Sequence, residues 1–155
     1  MSDHQRTEPS RTAGERASLT GFLQHQRETL MMKCAGLTAM QLKERAVPPS
    51  GLSLLGLVRH VAEVERSWFQ VVWNGEDVRA YWPGTVNGTF AEFDIDSAEP
   101  DEAFKVWQAA CARSCAIVEN GRVPGRHRAV ARRGVHPPLC PHPHDRGIRA
   151  AYRSR

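Results

Sequence analysis

The segment 54–69, LLGLVRHVAEVERSWF, constrains the fold more than any other part of this sequence. At about 100° per residue its apolar side chains share one broad arc, the pattern of an amphipathic helix packed on a core. This arc contains Leu54, Leu55, Leu57, Val58, Val61, Ala62, Val64, Trp68, Phe69 and Val72. The opposite side, predicted to face solvent, carries Arg59, Glu63, Arg66 and Gln70.

Two polar side chains interrupt this simple division. His60 lies at the border between the two faces, where its imidazole can point into a bundle interior. Glu65 falls inside the apolar arc. Because a buried carboxylate is costly without a hydrogen-bonding partner, we predict that Glu65 pairs with another buried group.

Helical spacing recurs in two other long segments, residues 15–35 and 101–120, and a short helix is predicted after Thr38. The helix that contains His60 is predicted to begin after Ser53 and to run to about Trp73. In the first segment the residues at core-facing spacing are Leu19, Phe22, Leu23, Leu30 and Cys34. In the last segment they are Phe104, Trp107, Cys111, Ser114 and Val118. These segments predict an all-α bundle.

A long connection, residues 76–100, precedes the last of these helices and contains Trp82, Phe90 and Phe93. Connections of this length inside a compact domain often carry function. The simpler interpretation is that the aromatic side chains cover one end of the bundle.

Composition places the chain among ordinary globular proteins. Its 155 residues suffice for one domain, and 41% are hydrophobic and 25% charged. No apolar run approaches the roughly 20 residues of a membrane span, and the first residues lack the apolar stretch of a signal peptide. We therefore expect a cytoplasmic protein. Cys34, Cys111 and Cys115 lie on helical patterns without an adjacent basic residue, and are predicted to be core thiols.

The net charge of +4 averages two unlike parts. Residues 1–121 hold 12 Lys and Arg against 16 Asp and Glu, whereas residues 122–155 hold 9 Arg and 1 Asp. That second part also contains five prolines and four histidines, with no helical period. We predict a disordered N-terminus over 1–14, a helical domain over 15–121 and an Arg/Pro/His-rich irregular tail over 122–155.

Three explanations of the tail compete. The first is a frameshift: codons for residues 135–155 exist that, read one base later, encode FTLRCVLTHMIEEYARHTGH, which contains a Glu four residues before a His. The second is a basic arm that binds nucleic acid, although only Tyr152 offers a ring for stacking on bases. The third is a metal-binding tract made of His136, Cys140, His142 and His144.

The stretch SLLGLVRHVAEVERSWF resembles the second helix of the DinB-like metalloprotein superfamily, in the branch related to mycothiol-dependent maleylpyruvate isomerase. The upstream FLQHQRETLMMKCAGLTAMQLKERAVPPSGLS and the downstream FAEFDIDSAEPDEAFKVWQAACARS agree with that branch in order and spacing. The resemblance covers about residues 19–119. It implies an up-down four-helix bundle, of which this chain contains helices 1–3 with the fourth lost or irregular.

The resemblance also implies a divalent metal, Zn²⁺ or Ni²⁺, held by three side chains. His60 matches one of these ligands, and the other two are a His or Glu and a His four residues later on the last helix. Such a metal would bind mycothiol or a similar low-molecular-weight thiol, lower its pKa and present the thiolate to a small electrophile. The implied function is a metal-dependent thiol transferase or isomerase, impaired here because residues 122–155 contain no helical ligand pair.

Two alternatives to this function stay open. One is a non-catalytic helical binding protein or an inactive gene product, and the other is a nucleic-acid binder that uses the basic tail. We expect neither a membrane nor a nucleic acid as partner, and a homodimer is left open.

The frameshift hypothesis makes a direct prediction about the gene. Resequencing the codons for residues 119–134 is expected to reveal an inserted or deleted base upstream of residue 135. An intact reading frame, confirmed by the mass of the C-terminal peptide from the purified protein, would contradict it.

Overall fold

The computed structural model of the chain describes residues 6–120. Residues 1–119 form one compact unit, and the other unit, residues 120–155, lies outside the described part except for Asn120. The predictions for the fourth helix and for the tail over 122–155 therefore fall on residues that are not described. Of residues 1–14, those from 6 onward are described, and the Thr7 backbone N–H donates to Glu28 Oε2 at 2.6 Å.

The predicted all-α class is confirmed. The helices are α1 (Glu15–Cys34), α2 (Ala39–Lys43), α3 (Leu54–Glu65) and α4 (Pro100–Asn120), together with a π-helix (Arg66–Trp73) and a 3-10 turn (Ala91–Phe93). The strands β1 (Thr85–Val86) and β2 (Thr89–Phe90) pair antiparallel. None of the helices within residues 6–120 is long and apolar enough to cross a membrane.

The predicted helix starts are confirmed by their caps. The Ser53 hydroxyl accepts the Gly56 backbone N–H at 3.0 Å and so satisfies one of the free donors of the first turn. Thr38 forms a capping box with Gln41, in which each side chain accepts a backbone N–H of the other residue.

The helix that contains His60 differs from its prediction beyond Glu65. We expected one α-helix to about Trp73, but from Arg66 to Trp73 the chain is a π-helix. A π-helix has i→i+5 hydrogen bonds, so the angle between successive residues differs from the 100° used to calculate the apolar arc. The arc therefore no longer describes which side chains share a face after Glu65. As a result Trp68 and Val72, both predicted on the apolar arc, are exposed.

The core lies between α3, α4 and the end of the long connection. Leu55, Val58 and Ala62 of α3 are fully buried with Ile95 and Trp107. Two predicted stripes need correction. On α4 the buried positions are Ala103, Trp107, Ala110, Ser114 and Ile117. On α1 only Cys34 is buried, while Leu19 and Phe22 are 64% and 58% exposed.

The small hairpin was not predicted, although the sequence contains its signal. Asn87 and Gly88 form the two-residue turn with φ angles of 51° and 79°. An Asn-Gly pair is the favoured sequence of such turns because both residues tolerate positive φ. The register pairs Thr85 with Phe90 and Val86 with Thr89.

The core assignment predicts different costs for two Leu→Ala changes on helices. Leu55→Ala removes a side chain that has no exposed surface, and is expected to lower the free energy of unfolding by about 2–5 kcal/mol through lost burial and a cavity. Leu19→Ala is the matched control and is expected to change it by less than about 1 kcal/mol, because Leu19 is already exposed. Urea unfolding followed by circular dichroism measures both, and equal losses would contradict this core.

Candidate functional site

The side of α3 that the sequence predicts to face solvent is buried. Arg59, Glu63 and Gln70 are each less than a tenth exposed. Two parts of the long connection, around Trp82 and over residues 91–95, lie against this side of the helix. We call it the covered face, defined by Arg59 and Glu63; Gln70 is also buried but lies beyond α3 in the π-helix. The aromatic residues of the connection therefore pack along the side of α3, and the helical period alone assigned these polar residues to the wrong environment.

Arg59 is held between the connection and the helix. Its guanidinium carbon lies 4.5 Å from the centre of the Trp82 ring, a cation–π geometry, and Nη1 donates to the Asp94 carbonyl oxygen. Its Nε has no hydrogen-bond partner within the described part of the chain. Burial lowers the pKa of Arg59, while the nearby charges of Asp94 and Glu102 act in the opposite direction.

Glu63 has a partner for each carboxylate oxygen. Oε1 accepts the Trp82 backbone N–H at 2.8 Å, and Oε2 accepts Arg66 Nε at 2.7 Å. A buried carboxylate bonded in this way is satisfied. Glu63 therefore fixes the connection to the helix and has no free oxygen directed at a ligand.

His60 meets the same connection. Its Nδ1 lies 3.3 Å from Glu92 Oε1, and its ring stacks on Phe93 with centroids 5.1 Å apart and planes 29° apart. In a hydrogen bond between the two groups the carboxylate accepts from Nδ1–H, which leaves Nε2 as the other ring nitrogen. Glu92, buried in the connection, is a site residue that the sequence analysis missed. Nothing in the spacing of Glu92 from His60 indicates their contact.

Gly56 allows the connection to approach α3 so closely. A Cβ on Gly56 would lie 3.4 Å from the Phe93 ring and 3.3 Å from the Ser53 hydroxyl. A larger side chain there would push Phe93 away from His60. The glycine thus sets the distance between the helix and residues 92–93.

Glu65 is predicted to pair with another buried group, and this prediction is confirmed. Its partner is Arg27 of α1. Arg27 Nε and Nη2 each donate to one Glu65 oxygen at 2.7 Å, a bidentate pair in which both side chains are almost fully buried. Burial by itself would lower the pKa of Arg27, but the hydrogen bonds and the charge of Glu65 raise it above its ordinary value.

Two cysteines of α4 join this ion pair. The Cys111 thiol donates to Glu65 Oε1 at 3.7 Å, and Arg27 Nη1 donates to Cys115 Sγ at 3.3 Å. Neither thiol has a basic residue beside it in the sequence. Cys115 nevertheless has a basic partner in the structure, because Arg27 reaches it from another helix. Burial and the charge of Glu65 raise the pKa of Cys111 to about 12. Burial also raises the pKa of Cys34.

A metal site needs about three protein ligands at one point. Within residues 6–120 no group of three His, Cys, Asp or Glu side chains is placed to hold a metal ion. Among these residues, Glu92 is the ionisable side chain within hydrogen-bonding distance of His60. Residues 6–120 therefore do not by themselves provide the ligand set that a divalent metal requires.

A family model described as mycothiol-S-transferase, a DinB-like family, matches residues 18–140. The match covers well over half of the chain, beginning within the first turn of α1 and including α2, α3 and α4. The chain therefore belongs to the mycothiol-S-transferase family. The matched range extends past residue 119, where the resemblance was expected to stop. No curated protein and no solved structure matches the chain.

The raised pKa of Cys111 predicts a pH dependence of stability. The unfolded thiol loses its proton near the ordinary pKa of 9.0, whereas the folded thiol keeps it to about 12. The folded state therefore binds more protons in that interval, so the stabilisation is complete below the unfolded pKa and is lost as the pH rises toward the folded one.

Cys111→Ala is expected to reduce the loss of stability between about pH 8 and about pH 10 relative to the original chain. Urea unfolding at the two pH values measures this difference, and Leu19→Ala serves as a control that leaves the slope unchanged. An equal decline in the Cys111→Ala variant would show that the thiol is not the group responsible.

Proposed function

We propose that this chain is a metal-dependent transferase of the mycothiol-S-transferase type whose metal site is incomplete, so that its transferase activity is impaired. The observation that carries the proposal is the family match over residues 18–140. Within that family type, the proposed substrates are mycothiol as the thiol and a small electrophile. The proposal includes the branch related to mycothiol-dependent maleylpyruvate isomerase and a cytoplasmic location.

His60 is the proposed metal ligand, and its surroundings support this role. The Glu92 carboxylate accepts a hydrogen bond from Nδ1–H and Phe93 stacks on the ring, so the imidazole is held in one orientation. Metal-binding histidines commonly donate their second ring N–H to a carboxylate in this way. A histidine that served only to fill a core would not need a buried acid at that position.

The missing ligands support the proposed impairment. Residues 6–120 supply no other ligand at His60 beyond Glu92, and the printed sequence after residue 120 has no Glu or His followed four residues later by His. The alternate-frame sequence for residues 135–155 does contain such a pair. We propose that a frameshift removed it, and we derive no catalytic step through a metal in this chain.

A second candidate is a non-catalytic binding protein, and one observation favours it. Leu19 and Phe22 of α1 and Trp68 of the π-helix are all more than half exposed. Large exposed apolar side chains of this kind occur at protein interfaces. A homodimer is one such assembly. The nucleic-acid alternative depends on the arginines after residue 121, which lie outside the described residues.

Equilibrium dialysis with Zn²⁺ and with Ni²⁺ tests the proposed function on three proteins: the 155-residue chain, its His60→Ala variant, and a chain carrying the alternate-frame sequence from residue 135. The alternate-frame chain is expected to bind about one metal ion per monomer and to gain thermal stability from it, because the ion binds only the folded state. The 155-residue chain is expected to bind none stoichiometrically.

The same proteins are then assayed for mycothiol-dependent conjugation of monochlorobimane. Only the alternate-frame chain is expected to be active, and His60→Ala in that chain is expected to abolish both metal binding and activity. Stoichiometric metal binding by the 155-residue chain that is lost in His60→Ala would show that substitute ligands complete the site. An alternate-frame chain that binds metal without conjugating mycothiol would contradict the proposed activity.

A further inference from the structure

The four cysteines differ in ways that their positions in the sequence do not reveal. Cys34 is buried, and burial raises its pKa. Cys111 donates to the Glu65 carboxylate, which disfavours its thiolate. Cys115 is partly exposed and has Arg27 Nη1 at 3.3 Å from its sulfur. Cys140 lies outside the described residues.

Cys115 opens onto a groove between α1 and α4. The groove has a volume of about 440 Å³, which lies in the range of small-molecule sites. Its walls offer both donors and acceptors, namely Arg16, Thr20, Gln24, Ser114 and Glu119. Such walls suit a polar molecule with groups of both kinds.

Ser114 gives an independent indication of a ligand. It lines the same groove, its side chain is fully buried, and its Oγ has no hydrogen-bond partner among residues 6–120. A buried hydroxyl without a partner costs free energy, and a polar group bound in the groove would remove that cost. The unpartnered hydroxyl and the thiol are adjacent in sequence and line the same groove.

We propose that Cys115 is a reactive thiol that forms a mixed disulfide with a polar low-molecular-weight disulfide bound in the α1/α4 groove. Arg27 Nη1 donates to the sulfur at 3.3 Å, so a cationic donor sits beside the atom that attacks. The inference does not depend on the proposed transferase function, because it uses neither His60 nor a metal.

The reaction is thiol–disulfide exchange. The Cys115 proton passes to solvent, and Sγ attacks one sulfur of the small disulfide. The bond between the two sulfurs of that molecule breaks as the new bond to Sγ forms. One half leaves as a thiolate, which takes up a proton, and the small disulfide is the oxidant.

Trypsin separates the four cysteines completely. Cleavage after Lys33, Lys105, Arg113 and Arg133 places Cys34, Cys111, Cys115 and Cys140 on the peptides 34–43, 106–113, 114–122 and 134–146. The folded full chain is incubated with oxidised glutathione, its remaining thiols are blocked with N-ethylmaleimide, and the peptides are weighed by mass spectrometry. A sample in urea, where every thiol is accessible, is the reference for detection.

In the folded chain, peptide 114–122 is expected to gain the glutathione mass about tenfold faster than peptides 34–43 and 106–113. In urea the three rates are expected to converge. Equal slow modification of all three peptides in the folded chain would overturn the proposal without the need for any variant.

A paired substitution tests the role of Arg27. Arg27→Met alone would leave the Glu65 carboxylate buried without its partner, so it is combined with Glu65→Leu, which removes both charges together. The rate at Cys115 is expected to fall about tenfold in this folded double variant. Arg27→Lys, which keeps a positive charge opposite Glu65, is the second variant, with an expected rate between those of the original chain and the double variant. An unchanged rate in the folded double variant would show that Arg27 does not activate the thiol.

Discussion

The ion pair between Arg27 and Glu65 is the interaction on which the arrangement of the three long helices depends. It joins α1 to the last residue of α3, and through Cys111 and Cys115 it also contacts α4. Removing one partner would leave a buried charge, at a cost of about 3–5 kcal/mol. The two side chains therefore act as a unit, because each compensates the buried charge of the other.

The position of this pair also explains the unusual burial on α1. The side of α1 that faces the other helices is marked by Arg27 and Cys34, so Leu19 and Phe22 lie outside the described core. The chain thus encloses a charged pair and leaves large apolar side chains exposed. A further helix packed on those side chains would complete the bundle that the family membership implies.

The covered face of α3 shows a second use of buried polar groups. Arg59 and Glu63 hold the connection through Trp82 and Asp94, and the same connection brings Glu92 and Phe93 to His60. The residues that anchor the connection and the candidate ligand His60 thus belong to one packed region, formed by α3 and the connection. Under the proposed frameshift, the ligands of the last helix would be missing while the contacts of His60 with Glu92 and Phe93 would stay as they are.

Much of the fold follows from the sequence alone. Helical period and local hydrogen bonding are determined by neighbouring residues, so they can be predicted from the sequence. They gave the bounds of α1, α2 and α4, the caps at Thr38 and Ser53, and the need of Glu65 for a buried partner. The resemblance in the His60 segment identified the family for the same reason, since the motif is contiguous.

Only the tertiary structure decided which faces are buried and which polar groups meet. Three contacts join residues that are far apart along the chain and that no periodicity relates. They are the contacts of Arg27 with Glu65, of Arg27 with Cys115, and of His60 with Glu92. The π-helix after Glu65 changed the phase of the arc, and the connection covered a face that the helical period assigned to solvent. A hydrophobic pattern states which side of one helix is apolar, whereas burial depends on what the rest of the chain places against it.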